Sequence, residues 1–303
     1  MFNNLNRKII LIFLLFFNLL CLVLTPGQNV FATEGGGGAY PNGAEDFMTG
    51  SIPPPGTYLI NYFSYYHADK RKDNNGNTVP GDFNAESTAD TLRFIHITKQ
   101  KIFGASWGMH TLIPFVNLHI RTPGGVDSKA GLGDITVNPL LLGWHLTNWH
   151  FAAGVDTKIP TGSYNKKDIA NIGRNYWTFE PIFAVTYLSS NGYEVSSKFM
   201  YDFNTKNTAT NYWSGEEFHF DYTLGKKIEN MNIGIGGYYY KQITDDSLNG
   251  NVLYGKKGQV FAFGPQFKYG LKNMYFTLKY QWETLVKNRP EGEKFWFKFG
   301  YTF

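Results

Sequence analysis

The feature that most limits what this chain can become is a two-residue alternation of apolar and polar side chains, repeated along nearly its whole length. In FHFDYTL, Phe218, Phe220, Tyr222 and Leu224 alternate with His219, Asp221 and Thr223. In MYFTLKYQW, Met274, Phe276, Leu278, Tyr280 and Trp282 alternate with Tyr275, Thr277, Lys279 and Gln281. Successive side chains of a strand point to opposite faces, so this pattern gives each strand one greasy face and one wet face. The same division sets Val155 and Ile159 against Asp156 and Lys158, Trp177 and Phe179 against Thr178 and Glu180, and Val195 and Phe199 against Glu194 and Lys198. The fold class it implies is all-β.

Turn residues cut the alternation into twelve strands, near 57–68, 88–102, 105–120, 133–146, 150–160, 175–188, 193–203, 215–227, 231–242, 258–270, 274–286 and 293–303. Long gaps near 69–87, 121–132, 161–174, 204–214, 243–257 and 287–292 alternate with tight turns near Gly104, Asn148, Asn191-Gly192, Glu229-Asn230 and Lys272-Asn273. A transmembrane up-and-down barrel with both ends on one side sorts its loops in this way, because its periplasmic turns are short and its outer loops long. A secreted sandwich, the competing fold, buries its apolar faces between two sheets and has no cause to sort them. A content of 17% aromatic against 17% charged residues also suits strands that face lipid. The expected architecture is an antiparallel transmembrane β-barrel of about twelve strands. Its first strand carries Tyr58, Ile60 and Tyr62 on one face and Leu59, Phe63 and Tyr65 on the other. Either a neighbour inside the lumen covers the inner aromatics, or the strand boundaries lie elsewhere.

The N-terminus predicts export. Arg7 and Lys8 precede the apolar run Ile9 to Leu24, and Val30-Phe31-Ala32 supplies small residues for cleavage, so residues 1–32 read as a signal peptide. An uncleaved anchor is the other reading of the same run. The only cysteine, Cys21, lies inside it after Leu20, which fits neither lipid attachment nor a disulfide in the exported chain. Beyond residue 32 no apolar stretch is long enough for a membrane helix, whereas barrel strands need only about 9–11 residues each. A formal net charge of +4 points to neither nucleic acid nor a strongly acidic partner.

Residues 33–56 form a separate piece before the barrel at 57–303. Gly35 to Gly38 are flexible, Pro53-Pro54-Pro55 stiffen the entry to the first strand, and Tyr40, Phe47 and Met48 are out of place in a solvated tail. Folded back into the lumen, these three side chains would plug it; a periplasmic tail is the alternative. At the other end, KFWFKFGYTF sets Phe295, Phe297, Phe299, Tyr301 and Phe303 toward lipid and Lys298 and Thr302 toward the interior. A final Phe with aromatics on alternate upstream positions, here Phe299, Tyr301 and Phe303, resembles the signal read by the outer-membrane barrel assembly machinery.

Four stretches carry a wider resemblance: GAYPNGAEDFMTGSIPPPGTY at 38–58, GLGDITVNPLLLGW at 131–144, KIPTGSY at 158–164 and the closing KNRPEGEKFWFKFGYTF. Together they resemble the MetA-pathway phenol-degradation (SphA-like) family of outer-membrane β-barrels across nearly the whole exported chain. The resemblance implies a transporter-like barrel of the Gram-negative outer membrane, of the kind encoded beside pathways for aromatic or hydrophobic compounds. It brings no agreed catalytic residues.

Twelve strands lie between the eight that side chains can fill and the sixteen or more that leave an aqueous channel. The lumen-lining candidates are Glu180, Lys198, Asp202, Glu217, His219, Asp221, Gln266, Lys268, Lys279, Glu283 and Lys298. Both charge signs are present, which argues against strong ion selectivity. These residues either steer a solute or pair across strands to fill the interior, as Lys198 would with Glu217, Asp221 or Glu180.

No enzyme is expected. None of the seven histidines has a serine two residues on, and the His219–Asp221 pair lacks a nucleophile. Asp73-Asn74-Asn75-Gly76-Asn77 offers oxygens but no later Glu of a calcium loop, so it reads as a turn and no metal or cofactor is expected. The expected function is facilitated diffusion of small hydrophobic or aromatic solutes across the outer membrane. The alternative is a structural or adhesive barrel with a blocked lumen and partner-binding outer loops. Expected partners are outer-membrane lipid, the assembly machinery and a small apolar solute, with no nucleic acid.

Overall fold

A computed structural model of the protein describes Glu34 and residues 37–303; the export signal expected at 1–32 lies outside the described residues. The strands are β1 (Gly56–Arg71), β2 (Asn84–Ile102), β3 (Ala105–Thr122), β4 (Gly125–Leu132), β5 (Ile135–His145), β6 (Trp149–Ile159), β7 (Thr178–Leu188), β8 (Tyr193–Asn204), β9 (Lys206–Asn207), β10 (Tyr212–Trp213), β11 (Glu217–Ile228), β12 (Met231–Gln242), β13 (Asp246–Leu248), β14 (Asn251–Leu253), β15 (Gln259–Leu271), β16 (Met274–Lys287) and β17 (Pro290–Thr302). Twelve of these form one antiparallel ring in the order β1, β2, β3, β5, β6, β7, β8, β11, β12, β15, β16, β17. The seam between β1 and β17 closes it, in register from Tyr58↔Thr302 to His67↔Glu293. Closure leaves no free edge, which is the condition for strands in a bilayer, where water is not present to satisfy an unpaired backbone.

All twelve expected strands occur within a few residues of their predicted bounds. The gaps between them differ in four places. The stretch 121–132 is no open loop, because β4 folds back on the outer half of β3 from Phe115↔Leu132 to Thr122↔Gly125. The stretches 204–214 and 243–257 contribute β9, β10, β13 and β14 to a small four-stranded sheet outside the ring. The expected long loop at 287–292 is instead a tight link of Asn288 and Arg289, with Asn288 at φ 51°. Asparagine tolerates that left-handed conformation, so a turn with the polar composition of a long loop is short in space.

The two faces of the ring are sorted as the alternation demands. On β17, half-buried Phe295, Phe297 and Phe299 alternate with buried Trp296, Lys298 and Gly300. Outer aromatics meet their neighbours across strands: Phe199 and Phe220 with ring centres 5.6 Å apart, Phe220 and Tyr239 at 5.7 Å, Tyr222 and Phe261 at 6.0 Å. Such cross-strand pairs stabilise a sheet face. No second layer of protein covers this surface among the described residues, so lipid is the apolar medium it meets. Many charged side chains are held on the inner face of the ring, Glu180 and Asp202 at 0% exposure and Lys158 at 4%, whereas Asp90 of β2 stays on the outer face, where it accepts a hydrogen bond from Asn61.

Phe263, 47% exposed and near the middle of β15, tests that assignment. Phe263→Arg is expected to lower folding stability in bilayers by about 2–4 kcal/mol, the cost of a cation on the lipid face near the midplane. Urea unfolding from phospholipid vesicles measures it, and an unchanged midpoint would mean that this face does not meet lipid.

Candidate functional site

The inner face of β1 has a neighbour. Residues 37–55 run inside the ring, from Pro54, whose carbonyl accepts a hydrogen bond from the Tyr58 hydroxyl at 2.7 Å, to Gly38, whose carbonyl accepts one from Arg174 at 3.1 Å. Glu34 lies further on, where its carboxylate accepts hydrogen bonds from Tyr164 at 3.2 Å and Asn207 at 2.5 Å in the outer loops. The segment therefore threads the barrel from the end that holds the short turns to the end that holds the long loops. This explains the two-sided aromatic character of β1: Tyr62 packs on Ala44, and Tyr58 and Ile60 pack against the cluster that contains Ile52.

A segment without secondary structure must find partners for its backbone elsewhere. Here the wall supplies them. Lys279 Nζ donates to the Gly43 and Glu45 carbonyls, the latter at 2.7 Å, Lys294 to the Asn42 carbonyl at 2.9 Å, and Lys298 to the Ala44 carbonyl at 2.9 Å. From the other side Asp221 accepts from the Gly43 N–H at 2.8 Å, the Glu45 N–H at 2.9 Å and the Tyr40 hydroxyl at 2.8 Å. Further down, Glu194 accepts from the Met48 N–H at 2.6 Å and Thr186 from the Gly50 N–H at 2.9 Å. The tight course at Gly43 needs its φ of +84°, a value that a side chain would strain.

Charge and shape complete the fit. Glu45 meets Arg93 at 3.3 Å and Lys198 at 3.6 Å; Asp46 meets Lys298 at 2.6 Å and Lys268 at 3.4 Å. Burial alone would push the Glu45 carboxyl up, but Arg93, Lys198 and Lys298 outweigh it and hold the group at about 2. Asp46, equally buried, is likewise held well below the usual carboxylate range, by Lys268, Lys298 and Lys279. The wall is notched for two apolar side chains. A Cβ on Gly225 would sit 2.5 Å from Phe47 Cε1, and one on Gly143 would overlap Ile52 Cγ1, so only glycine leaves room at either place.

The eleven residues expected to line the lumen fall into three groups. Asp221, Lys268, Lys279 and Lys298 hold the threaded segment, as above. Lys198 reaches Asp156 at 3.5 Å as well as Glu45, and not the expected Glu217, Asp221 or Glu180. Glu180 is taken by Lys158, which also meets Asp202 at 3.1 Å. His219 does not pair with Asp221; its Nε2 lies 3.4 Å from Glu180 and 3.3 Å from Asp202, with Glu217 buried beside Asp202 in the register. Gln266 donates to the Ile235 carbonyl at 3.3 Å, and Glu283 accepts from Tyr66 at 2.9 Å and from Tyr238. Of the plug candidates, Tyr40 and Phe47 make side-chain contacts with the wall, and Met48 enters through its backbone N–H.

Several residues in the same interior were absent from the expected set: Arg93, His110, Asp156, Lys158 and Glu194 on the wall, and Glu45, Asp46 and Ile52 on the segment. Asp156, Lys158 and Glu194 sit on the wet face of strands already read as alternating, so the pattern that placed Lys198 placed them too. Arg93 and His110 lie on β2 and β3, where the alternation is weakest; Arg93 donates to Tyr62 at 2.9 Å, and His110 meets Asp156 at 3.0 Å.

Beside the outer part of the segment, Gly37 to Asn42, and toward the long loops lies a cavity of about 490 Å³. Tyr66, Tyr238 and Trp296 line it near its floor, with Lys294 Nζ 5.4, 5.2 and 5.7 Å from their ring centres, and Leu112 and Val116 add aliphatic wall. The size suits a small organic ligand, and charged side chains such as Glu86, Asp134, Arg174 and Glu283 line the cavity beside its apolar wall.

Residues 68–299 match the family described as the MetA-pathway of phenol degradation. The chain belongs to that family. The match begins near the end of β1 and stops inside β17, so it covers most of the barrel and leaves out the threaded segment. Among solved structures, the COG4313 outer membrane channel from Pseudomonas putida F1 is similar, with TM-score 0.76 and 18% identity over 84% of this chain and 97% of that one. The beta domain of the Bordetella autotransporter BrkA is similar more distantly, with TM-score 0.50 and 10% identity over 82% of this chain and 100% of that one. At such identities the likeness shows the fold, an outer-membrane barrel. No curated protein matches the sequence.

Two outcomes follow for the seating of residues 37–55. Glu45 is held at about 2 when seated against an ordinary value of 4.5, so its contribution is complete above pH 4.5 and is lost as pH falls through about 2. Pepsin cleavage within residues 42–51 is therefore expected to appear across that interval, and Glu45→Gln should remove the step. Gly225→Val closes the notch for Phe47, and the same cleavage is then expected at pH values where the wild type resists; equal resistance would show that Phe47 does not depend on that notch.

Proposed function

We propose that this family member is an outer-membrane channel for small hydrophobic or aromatic solutes, moved by facilitated diffusion, and that residues 37–55 are its gate. The observation that carries this reading is the juxtaposition of an aromatic-lined cavity, open toward the long loops, with a segment that obstructs the lumen below it. A solute that enters the cavity stacks on Tyr66, Tyr238 and Trp296 and meets Lys294, which is tied to the segment through the Asn42 carbonyl. Displacing that tie loosens the first of the lysine contacts that seat the segment. The interior charges bind the gate, and in this reading that is their role.

The description of the family and the likeness to the Pseudomonas channel agree with transport of this kind. Residues 1–32 serve as the export signal, and Phe299, Tyr301 and Phe303 as the strand read by the barrel assembly machinery. A carrier of solutes needs no catalytic residues, and none are assigned.

Planar-bilayer recording tests the gate. Deletion of residues 37–52 is expected to raise single-channel conductance severalfold over the full chain, and vesicles with the full chain should admit phenol-sized solutes faster than sugars of similar mass. An unchanged trace after deletion would end the gate reading, and a barrel sealed in both forms would favour a structural or adhesive role.

A further inference from the structure

The cluster around His219 differs from the other ionic groups inside the barrel, since three carboxylates gather about one imidazole. Glu180, Asp202 and Glu217 lie on the adjacent strands β7, β8 and β11 and are 0%, 0% and 1% exposed. Among the described residues, Lys158 is the one lysine or arginine within ion-pair distance of any of them. Three carboxylates thus stand against one ammonium in direct contact, and the buried Arg289 guanidinium acts on Glu217 only from beyond that distance. Buried charge of this kind is costly unless something compensates it.

Donor atoms converge on the imidazole, two of them unpartnered (Asp202 Oδ2 and His219 Nε2) and one, Glu180 Oε2, shared with Lys158. Asp202 Oδ2, Glu180 Oε1, Glu217 Oε1 and both ring nitrogens of His219 are buried without a hydrogen-bond partner among the described residues. One donor atom from each of Glu180, Asp202 and His219 lies within 4.8 Å of the others. His219 Nε2 stands 3.4 Å from Glu180 Oε2 and 3.3 Å from Asp202 Oδ2. The ligands of a tetrahedral ion bound at about 2.0–2.2 Å are separated by about 3.3–3.6 Å, so these contacts have the span of two edges of such a site.

We propose that Glu180, Asp202 and His219 form a binding site for a first-row divalent metal ion of the zinc type. One imidazole and carboxylate oxygens suit such an ion, whereas calcium takes six or more oxygens. Lys158 stays on Asp202 Oδ1 and Glu180, where it orients both acids. The threaded segment covers the site: the Tyr40 ring centre is 5.1 Å from that of His219, and a Cβ on Gly38 would lie 3.1 Å from Glu217 Oε2. The ion thus enters during folding or when the segment lifts, and it exchanges slowly once covered.

The test uses the full chain refolded in detergent with zinc chloride and then passed over a chelating resin. About one zinc per chain should remain by elemental analysis, and the cobalt(II)-loaded protein should show the intense visible bands of tetrahedral coordination. His219→Gln and Asp202→Asn should each weaken zinc binding by at least about tenfold. His145→Gln with His150→Gln, which removes the exposed histidine pair at the short-turn end, should leave it unchanged. If the ligand variants fail to fold, X-ray absorption on the zinc-loaded wild type decides, with one imidazole and two or three oxygens expected. Zinc stripped by the resin, zinc that follows His145 and His150, or a spectrum without imidazole would each overturn the proposal.

Discussion

The contact between a set of wall lysines and the backbone carbonyls of residues 42–45 is the interaction on which the rest of this structure depends. A closed barrel in lipid satisfies its own backbone through strand pairing, and its interior must then neutralise whatever charges the inner faces carry. Lys279, Lys294 and Lys298, on the neighbouring strands β16 and β17, would be excess buried cations if nothing lay inside. Carbonyls at Asn42, Gly43, Ala44 and Glu45 and the carboxylate of Asp46 take them up. The occupant and the wall therefore stabilise each other, and neither is complete alone.

This reciprocity shapes how tightly the occupant is held. Each charge-assisted hydrogen bond is strong because water is excluded, yet each is also a contact that a competing polar group can replace. Apolar anchoring is concentrated toward the end with the short turns, where Ile52 joins Ile95, Ile97, Leu141, Ile182 and Met200. Polar anchoring is concentrated at mid-barrel. The segment is fixed by apolar contacts at its base, next to the stiff Pro53 to Pro55, and by exchangeable ionic contacts above, as the proposed gate requires.

The barrel is legible in the sequence because its rules are local. Period-2 alternation in runs such as Phe218–Leu224 and Met274–Trp282, cut by turn residues, is enough to place all twelve strands and to tell the inside from the outside. Loop architecture is less legible: Asn288 and Arg289 form a tight link although their neighbours have the composition of a long polar loop, and β4 pairs with β3 through residues such as Val126 that lack clean alternation. The site is legible by face and not by partner. Alternation puts Lys198 and His219 inside, but which acid each meets depends on strand stagger and on an occupant from far along the chain, so Lys198 finds Glu45 and Asp156, and His219 finds Glu180 and Asp202. Tyr40 and Phe47 hint at that occupant; its two acids, Glu45 and Asp46, carry no periodicity that would mark them.

Hydrogen exchange at residues 42–51 of the full chain in lipid bilayers tests this account most directly. The N–H groups of Gly43, Glu45, Met48 and Gly50 donate to Asp221, Glu194 and Thr186 within the barrel, so they are expected to exchange far more slowly than the same peptide free in solution. Exchange of those amides at the rate of a free tail would contradict the account, because the lysines and acids of the wall would then be without the partner that accounts for them.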